Sequence, residues 1–226
     1  MTPSEVEIVV AEDAEDAARK GAELLVEAAS AGKHIALSGG STPRPAYELA
    51  ASMRSDWSKA ELWWGDERCV PPGDERSNFH LARAALLDRI ARLPAVHRVR
   101  GELDAKAAAS EYDQELQGVR LGLAFLGIGR DGHTASLFPD SEALVVNDRL
   151  AVAAAGPDVD RVTLTPPILC EAEMVAFLVV GDEKAEAVRR AFTGEPSRET
   201  PASLIRARSG RTVLVTDRAA AAGLTE

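Results

Sequence analysis

The stretch ALSGGSTPRPAYELA, Ala36–Ala50, decides how the chain reads. A strand-like apolar run, Ile35 to Leu37, breaks into two glycines flanked by hydroxyls. Prolines at 43 and 45 then open a helical pattern. Glycine lets the backbone turn tightly and approach a ligand, and hydroxyls add hydrogen-bond donors. A helix starting at Pro43 to Pro45 would aim its free N–H groups into the same loop, which makes a ready anion site with phosphate as the usual occupant. The candidate ligands are Ser38, Gly39, Gly40, Ser41 and Thr42. The lysine of a nucleotide P-loop is absent. GGSTP is also not the G-x-S-x-G elbow, which argues against Ser41 as a nucleophile. On this stretch alone, an ordinary glycine turn with a helix cap is equally compatible.

Outward from that loop, apolar runs recur at Val6 to Val10, Leu62 to Trp64, Leu121 to Leu126, Met174 to Val180 and Val213 to Val215. Continuous hydrophobicity of this kind marks strands buried on both faces. Helical periodicity falls between several of them, at Ala14 to Ala29, Asn78 to Ile90, Ala105 to Leu116 and, more briefly, Lys184 to Phe192. The alternation predicts an α/β fold, a Rossmann-like open and mostly parallel sheet with helices on both faces, in one domain over residues 1–226. Ligands in such sheets bind beyond the carboxyl ends of the strands.

The chain of 226 residues carries 26 basic and 36 acidic side chains, a net charge of −10. That acidity disfavours nucleic acid and anionic membranes as partners, and attraction for an anionic ligand must be local. No apolar run approaches the ~20 residues of a membrane span. No signal-peptide pattern opens the chain, and Cys69 and Cys170 form neither a disulfide framework nor a metal-ligand spacing. A cytoplasmic protein without a metal or cofactor is expected, with a monomer as the default.

Three further loops come after apolar runs. GDERCVPPGDERSNF, Gly65–Phe79, places Asp66, Glu67 and Arg68 directly after Trp63 and Trp64, and Pro71 and Pro72 stiffen the rest of the loop. GIGRDGHTASLFP, Gly127–Pro139, satisfies G-x-G-x-x-G, yet Pro139 leaves little room for the long helix of a dinucleotide site. Its glycines instead bring Asp131 and His133 to a strand end, and a histidine there beside a carboxylate reads as a general base. In VVGDEKAEAV, Val179–Val188, Lys184 lies near a helix start; an ordinary surface lysine is the default there, and the strand's carboxyl end adds anion binding as the alternative.

Together, LSGGSTP, WGDERCVPP with SNF, GIGRDGHTASLFP, RVTLTPPIL, GDEKA and PASLIR resemble the 6-phosphogluconolactonase family over most of the chain. That resemblance implies hydrolysis of 6-phospho-D-glucono-1,5-lactone to 6-phosphogluconate in the oxidative pentose phosphate pathway, without metal or cofactor. It implies His133 as general base and Asp131 as its orienting neighbour. Ser38 to Thr42, Arg68 and Lys184 fall where the family holds the substrate phosphate, and Asp66 lies at the sugar end, counted with the catalytic group. A deaminase–isomerase of the same fold would carry tyrosine at Arg68 and glutamate at Phe138. A non-catalytic sugar-phosphate sensor would carry a DNA-binding module that this acidic chain has no room for.

Overall fold

A computed structural model describes residues 6–224. Seven strands build the main sheet: β1 (Val6–Ala11), β2 (His34–Leu37), β3 (Glu61–Trp64), β5 (Ala95–Val96), β6 (Leu123–Leu126), β9 (Met174–Val179) and β10 (Arg211–Asp217). Their order is β1-β10-β9-β6-β2-β3-β5, and every neighbouring pair is parallel. A second, antiparallel sheet joins β4 (Asp66–Arg68), β8 (Arg161–Leu164) and β7 (Ala151–Ala154). The helices are α1 (Ala14–Ser30), α2 (Pro43–Met53), α3 (Asn78–Ala85), α4 (Ala105–Glu115), α5 (Pro166–Cys170), α6 (Ala185–Phe192) and α7 (Arg218–Ala221).

The central strands are short and apolar on both faces because helices cover both. Phe125 and Ala176 are register partners on β6 and β9, so Phe125 and the next residue along β9, Phe177, point to opposite faces. Phe125 meets the Tyr47 ring of α2 at 6.1 Å, and a methyl group on Gly21 of α1 would come within 3.1 Å of it. Phe177 instead meets Phe192 of α6 edge-on at 5.5 Å. On β3, likewise, Trp64 faces Phe79 of α3 while Trp63 faces Tyr112 of α4. Right-handed crossovers explain this division: connections running toward β5 lie on one face, and those running toward β1 on the other.

The chain therefore leaves β2 in one direction, to β3 and β5, and leaves β6 in the other, to β9 and β10. The neighbours β2 and β6 form a topological switch point, where diverging connections open a crevice. The α/β, mostly parallel architecture expected from the sequence is what the structure shows. Three local readings differ. The charged run after Trp64 is not a loop but strand β4, paired with β8. The helix expected to reach Ile90 stops at Ala85, with a 3-10 turn at Leu87–Arg89. The antiparallel sheet was not anticipated.

Candidate active site

A cleft of about 380 Å³ opens over the switch point. It is lined by Ser38 to Thr42 after β2, by Asp66 and Arg68 on β4, by Gly127 to Arg130 and His133 after β6, and by Lys184 before α6. Every candidate named from the sequence reaches this cleft except Asp131, which stands behind His133.

The histidine loop is held from within. Gly129 N–H donates to the His133 carbonyl at 2.8 Å, and Gly132 N–H to the Gly129 carbonyl at 2.9 Å. Gly132 turns at φ 90°, a conformation favoured by glycine. Asp131 Oδ1 accepts from His133 N–H at 3.1 Å and lies 2.6 Å from His133 Nδ1. A carboxylate at Nδ1 selects the tautomer with its proton there and leaves Nε2 with a lone pair. Burial pushes the Asp131 carboxyl upward, but the His133 N–H and the imidazole charge outweigh it, and the acid sits below its ordinary value. The Phe138 ring packs at a tilt against the imidazole, 4.9 Å between centroids. Gly129 is indispensable to this arrangement: a Cβ there would fall 2.2 Å from His133 Nδ1 and 2.6 Å from Asp131 Oδ1.

On β4 the period of two sends Asp66 and Arg68 to the cleft and Glu67 away from it. Asp66 is almost wholly buried, and both its oxygens are engaged, Oδ1 by Asn78 Nδ2 at 3.1 Å and Oδ2 by Ser136 Oγ at 2.5 Å. Arg68 Nη1 donates to the Arg76 carbonyl at 2.6 Å, which fixes the guanidinium. Glu67 accepts from the backbone N–H groups of Arg68, Asn78 and Phe79 and from Ser77 Oγ, capping the first turn of α3. Burial pushes its carboxyl up despite those four donors.

Lys184 rides on a loop tied down from the opposite side. Gly181, at φ 99°, donates its N–H to both oxygens of Asp217 at the end of β10, and the Gly181 carbonyl accepts from Lys184 N–H at 3.1 Å. Burial holds the Lys184 ammonium below the ordinary lysine value; Glu183 opposes that shift and Arg130 adds to it. Arg130 was not singled out from the sequence, nor were Asn78 and Ser136. Asn78 and Ser136 lay inside quoted motifs, but only the contact of both with Asp66 reveals their part.

Among the described residues, three buried side-chain atoms at the cleft have no hydrogen-bond partner within the protein: the donors Ser38 Oγ and Arg68 Nε, and the acceptor Asn78 Oδ1. Thr42, at the cap position of α2, likewise makes no side-chain cap bond. Buried polar groups are rarely left unpaired, so donors gathered on one cleft point to a polar ligand.

The family model described as glucosamine-6-phosphate isomerases/6-phosphogluconolactonase matches residues 9–214. The chain belongs to the 6-phosphogluconolactonase family. Among its relatives, the 6-phosphogluconolactonase of Nostoc sp. is 43% identical over 171 residues, 70% of each chain. That of Haemophilus influenzae is 36% identical over 201 residues, 83% of this chain and 85% of the other. The structure of 6-phosphogluconolactonase from Trypanosoma brucei superposes with a TM-score of 0.86 at 26% identity, covering 98% of this chain and 99% of that one.

Proposed function

We infer that the chain hydrolyses 6-phospho-D-glucono-1,5-lactone to 6-phosphogluconate. The observation that carries this reading is the pairing of a carboxylate-oriented imidazole with unpartnered donors in one cleft of a family member. A δ-lactone is an activated ester, so a base and charge stabilisation suffice.

His133 Nε2 takes a proton from water as its oxygen attacks C1, while Asp131 holds the Nδ1 proton and steadies the imidazolium. The tetrahedral oxyanion accepts hydrogen bonds from backbone N–H groups of the glycine loops. Collapse breaks the bond from C1 to the ring oxygen, and the imidazolium returns its proton to that oxygen. Arg68, Lys184 and the Ser38–Thr42 loop bind the phosphate with charge-assisted hydrogen bonds. Asp66 has both oxygens occupied by Asn78 and Ser136, so it orients the sugar end of the cleft rather than acting as a second base. Phe138 beside the imidazole, where the deaminase reading requires a carboxylate, favours the lactonase.

Acid release from freshly prepared 6-phosphogluconolactone, compared with its spontaneous opening, tests the reading. A rate no faster with the protein than without it would defeat the assignment.

A further inference from the structure

The chain contains only two tyrosines, and both do the same unusual thing. Tyr47 on α2 is fully buried; its hydroxyl accepts from Ser38 N–H at 3.0 Å and donates to the Ser38 carbonyl at 2.7 Å. Tyr112 on α4 is equally buried; its hydroxyl accepts from Trp64 N–H at 2.7 Å and donates to the Trp64 carbonyl at 3.1 Å. Each phenol thus closes both backbone groups of a single residue. Ser38 is the first residue past β2, and Trp64 is the last of β3. The two strands are neighbours, and their register ends at the pair Leu37 and Trp64. The phenols reach them from opposite faces of the sheet, Tyr47 beside Phe125 and Tyr112 beside Trp63.

We propose that Tyr47 and Tyr112 are positioning residues, each fixing the backbone from which one wall of the cleft departs. Where the ladder runs out, the next peptide groups need partners or the chain end is free to swing. At Ser38 the chain enters the loop Ser38–Thr42; beyond Trp64, one glycine separates the strand end from Asp66. A phenol has one rotatable donor and lone pairs to spare, so a single rigid side chain satisfies both groups and sets their direction. Burial pushes both phenols well above the ordinary tyrosine value, so neither hydroxyl ionises in the working pH range. The division of labour is set by the segment that departs from each strand end. Tyr47 governs the loop that binds the phosphate alone, and Tyr112 governs the wall that carries both Asp66, at the sugar end, and Arg68.

This inference rests on the lactonase reading, and Tyr47→Phe and Tyr112→Phe separate the two. Tyr47→Phe is expected to raise KM for the phosphorylated lactone and Kd for 6-phosphogluconate about tenfold. Its kcat should change less than threefold, and its kcat/KM on unphosphorylated gluconolactone should be unmoved. Tyr112→Phe is expected to lower kcat about tenfold on both lactones, through Asp66, and to raise KM severalfold on the phosphorylated lactone alone, through Arg68. Thr212→Val supplies the comparison for purely structural damage, because it strips a buried hydroxyl from the backbone of Ala207 at the opposite end of the sheet. It should lower Tm and leave kinetic constants at wild type. Tyrosine variants that lose Tm with wild-type constants would overturn the proposal, as would identical kinetic losses for the two. Wild type inactive on both lactones would defeat the functional reading instead. A measurement independent of variant folding uses wild type labelled with 3-fluorotyrosine, which gives two ¹⁹F resonances. Saturation with 6-phosphogluconate should shift the Tyr47 signal, and a spectrum unchanged by bound product would count against the coupling.

Discussion

His133→Ala removes the imidazole while leaving the Ser38–Thr42 loop and Lys184 in place, so chemistry and binding should separate. General-base assistance is typically worth roughly 10²–10⁴-fold in rate. The variant should lose that in kcat, with 6-phosphogluconate affinity within a few-fold of wild type; near wild-type kcat in a folded variant would remove His133 from the reaction. Gly129→Ala should reproduce much of that loss without touching any functional group, because its methyl would have to occupy the space of the Asp131–His133 pair. Lys184→Ala should lower kcat/KM on the phosphorylated lactone roughly 10- to 150-fold, the worth of a charge-assisted hydrogen bond of about 1.5–3 kcal/mol. Unphosphorylated gluconolactone should be nearly indifferent to the change, and equal losses on both would show that Lys184 does not bind phosphate. Its pH dependence carries a definite sign. Since burial depresses the ammonium, the cation is present at low pH and lost as pH rises through a value below that of free lysine. Binding of 6-phosphogluconate to wild type should therefore weaken with rising pH before free lysine titrates. Calorimetry on Lys184→Ala should find that limb gone.

At the scale of elements, the unit formed by β4 and the start of α3 shows what the sequence revealed and what it hid. Trp63 and Trp64 before the charges, and the prolines after them, marked Asp66–Arg68 as a held segment. What holds it could not be read: β4 pairs with residues about a hundred positions later, and the three-residue run is too short to show alternation. Glu67 was named with its neighbours but given no part of its own, yet it is buried and collects four donors at the N-terminus of α3. Glu67→Gln keeps the shape but turns an amide NH₂ toward N–H groups that need acceptors. Leaving buried donors unmet costs about 1–3 kcal/mol each. Chemical denaturation should show a loss of at least that size, together with reduced phosphate affinity through the misplaced Arg68. Unchanged stability would mean that the capping is dispensable. The packing of Asn78 over Gly39, where a Cβ would fall 1.7 Å from Oδ1, was similarly invisible, because it joins two motifs that are 39 positions apart in the chain. The glycine loops themselves were legible because their need for glycine is local.

Over the whole molecule, the runs that became the longer strands of the main sheet were apparent because each is apolar enough to be covered on both faces. The two-residue β5 carries too little pattern to detect, and the antiparallel strands have weaker and mixed burial at β7. Strand order was not read from the sequence, and it is the order that creates the crevice. The acidity of the chain is compatible with an anionic substrate because Arg68 on β4 and Arg130 and Lys184 on two separate loops converge on one cleft. That convergence depends on the same divergence of connections at β2 and β6.

The placement of β1 has a consequence for how the molecule is made. Its ladder partner is β10, some two hundred residues later in the order of translation. A ribosome delivering residues at about 5–20 per second leaves Val6–Ala11 waiting ten seconds or more for its neighbour. Throughout that interval its apolar residues, Ile8 and Val10 among them, stand beside an unfilled ladder, and β9 also lacks a partner on that side. Open strand edges of this kind recruit other chains. A chain ending at Gly210 freezes the molecule at that stage. Light scattering should find it associating at concentrations where the full chain does not, and hydrogen exchange should find Val6–Ala11 unprotected. A soluble truncated chain with native protection of those six residues would show that the first strand is held by α1 alone.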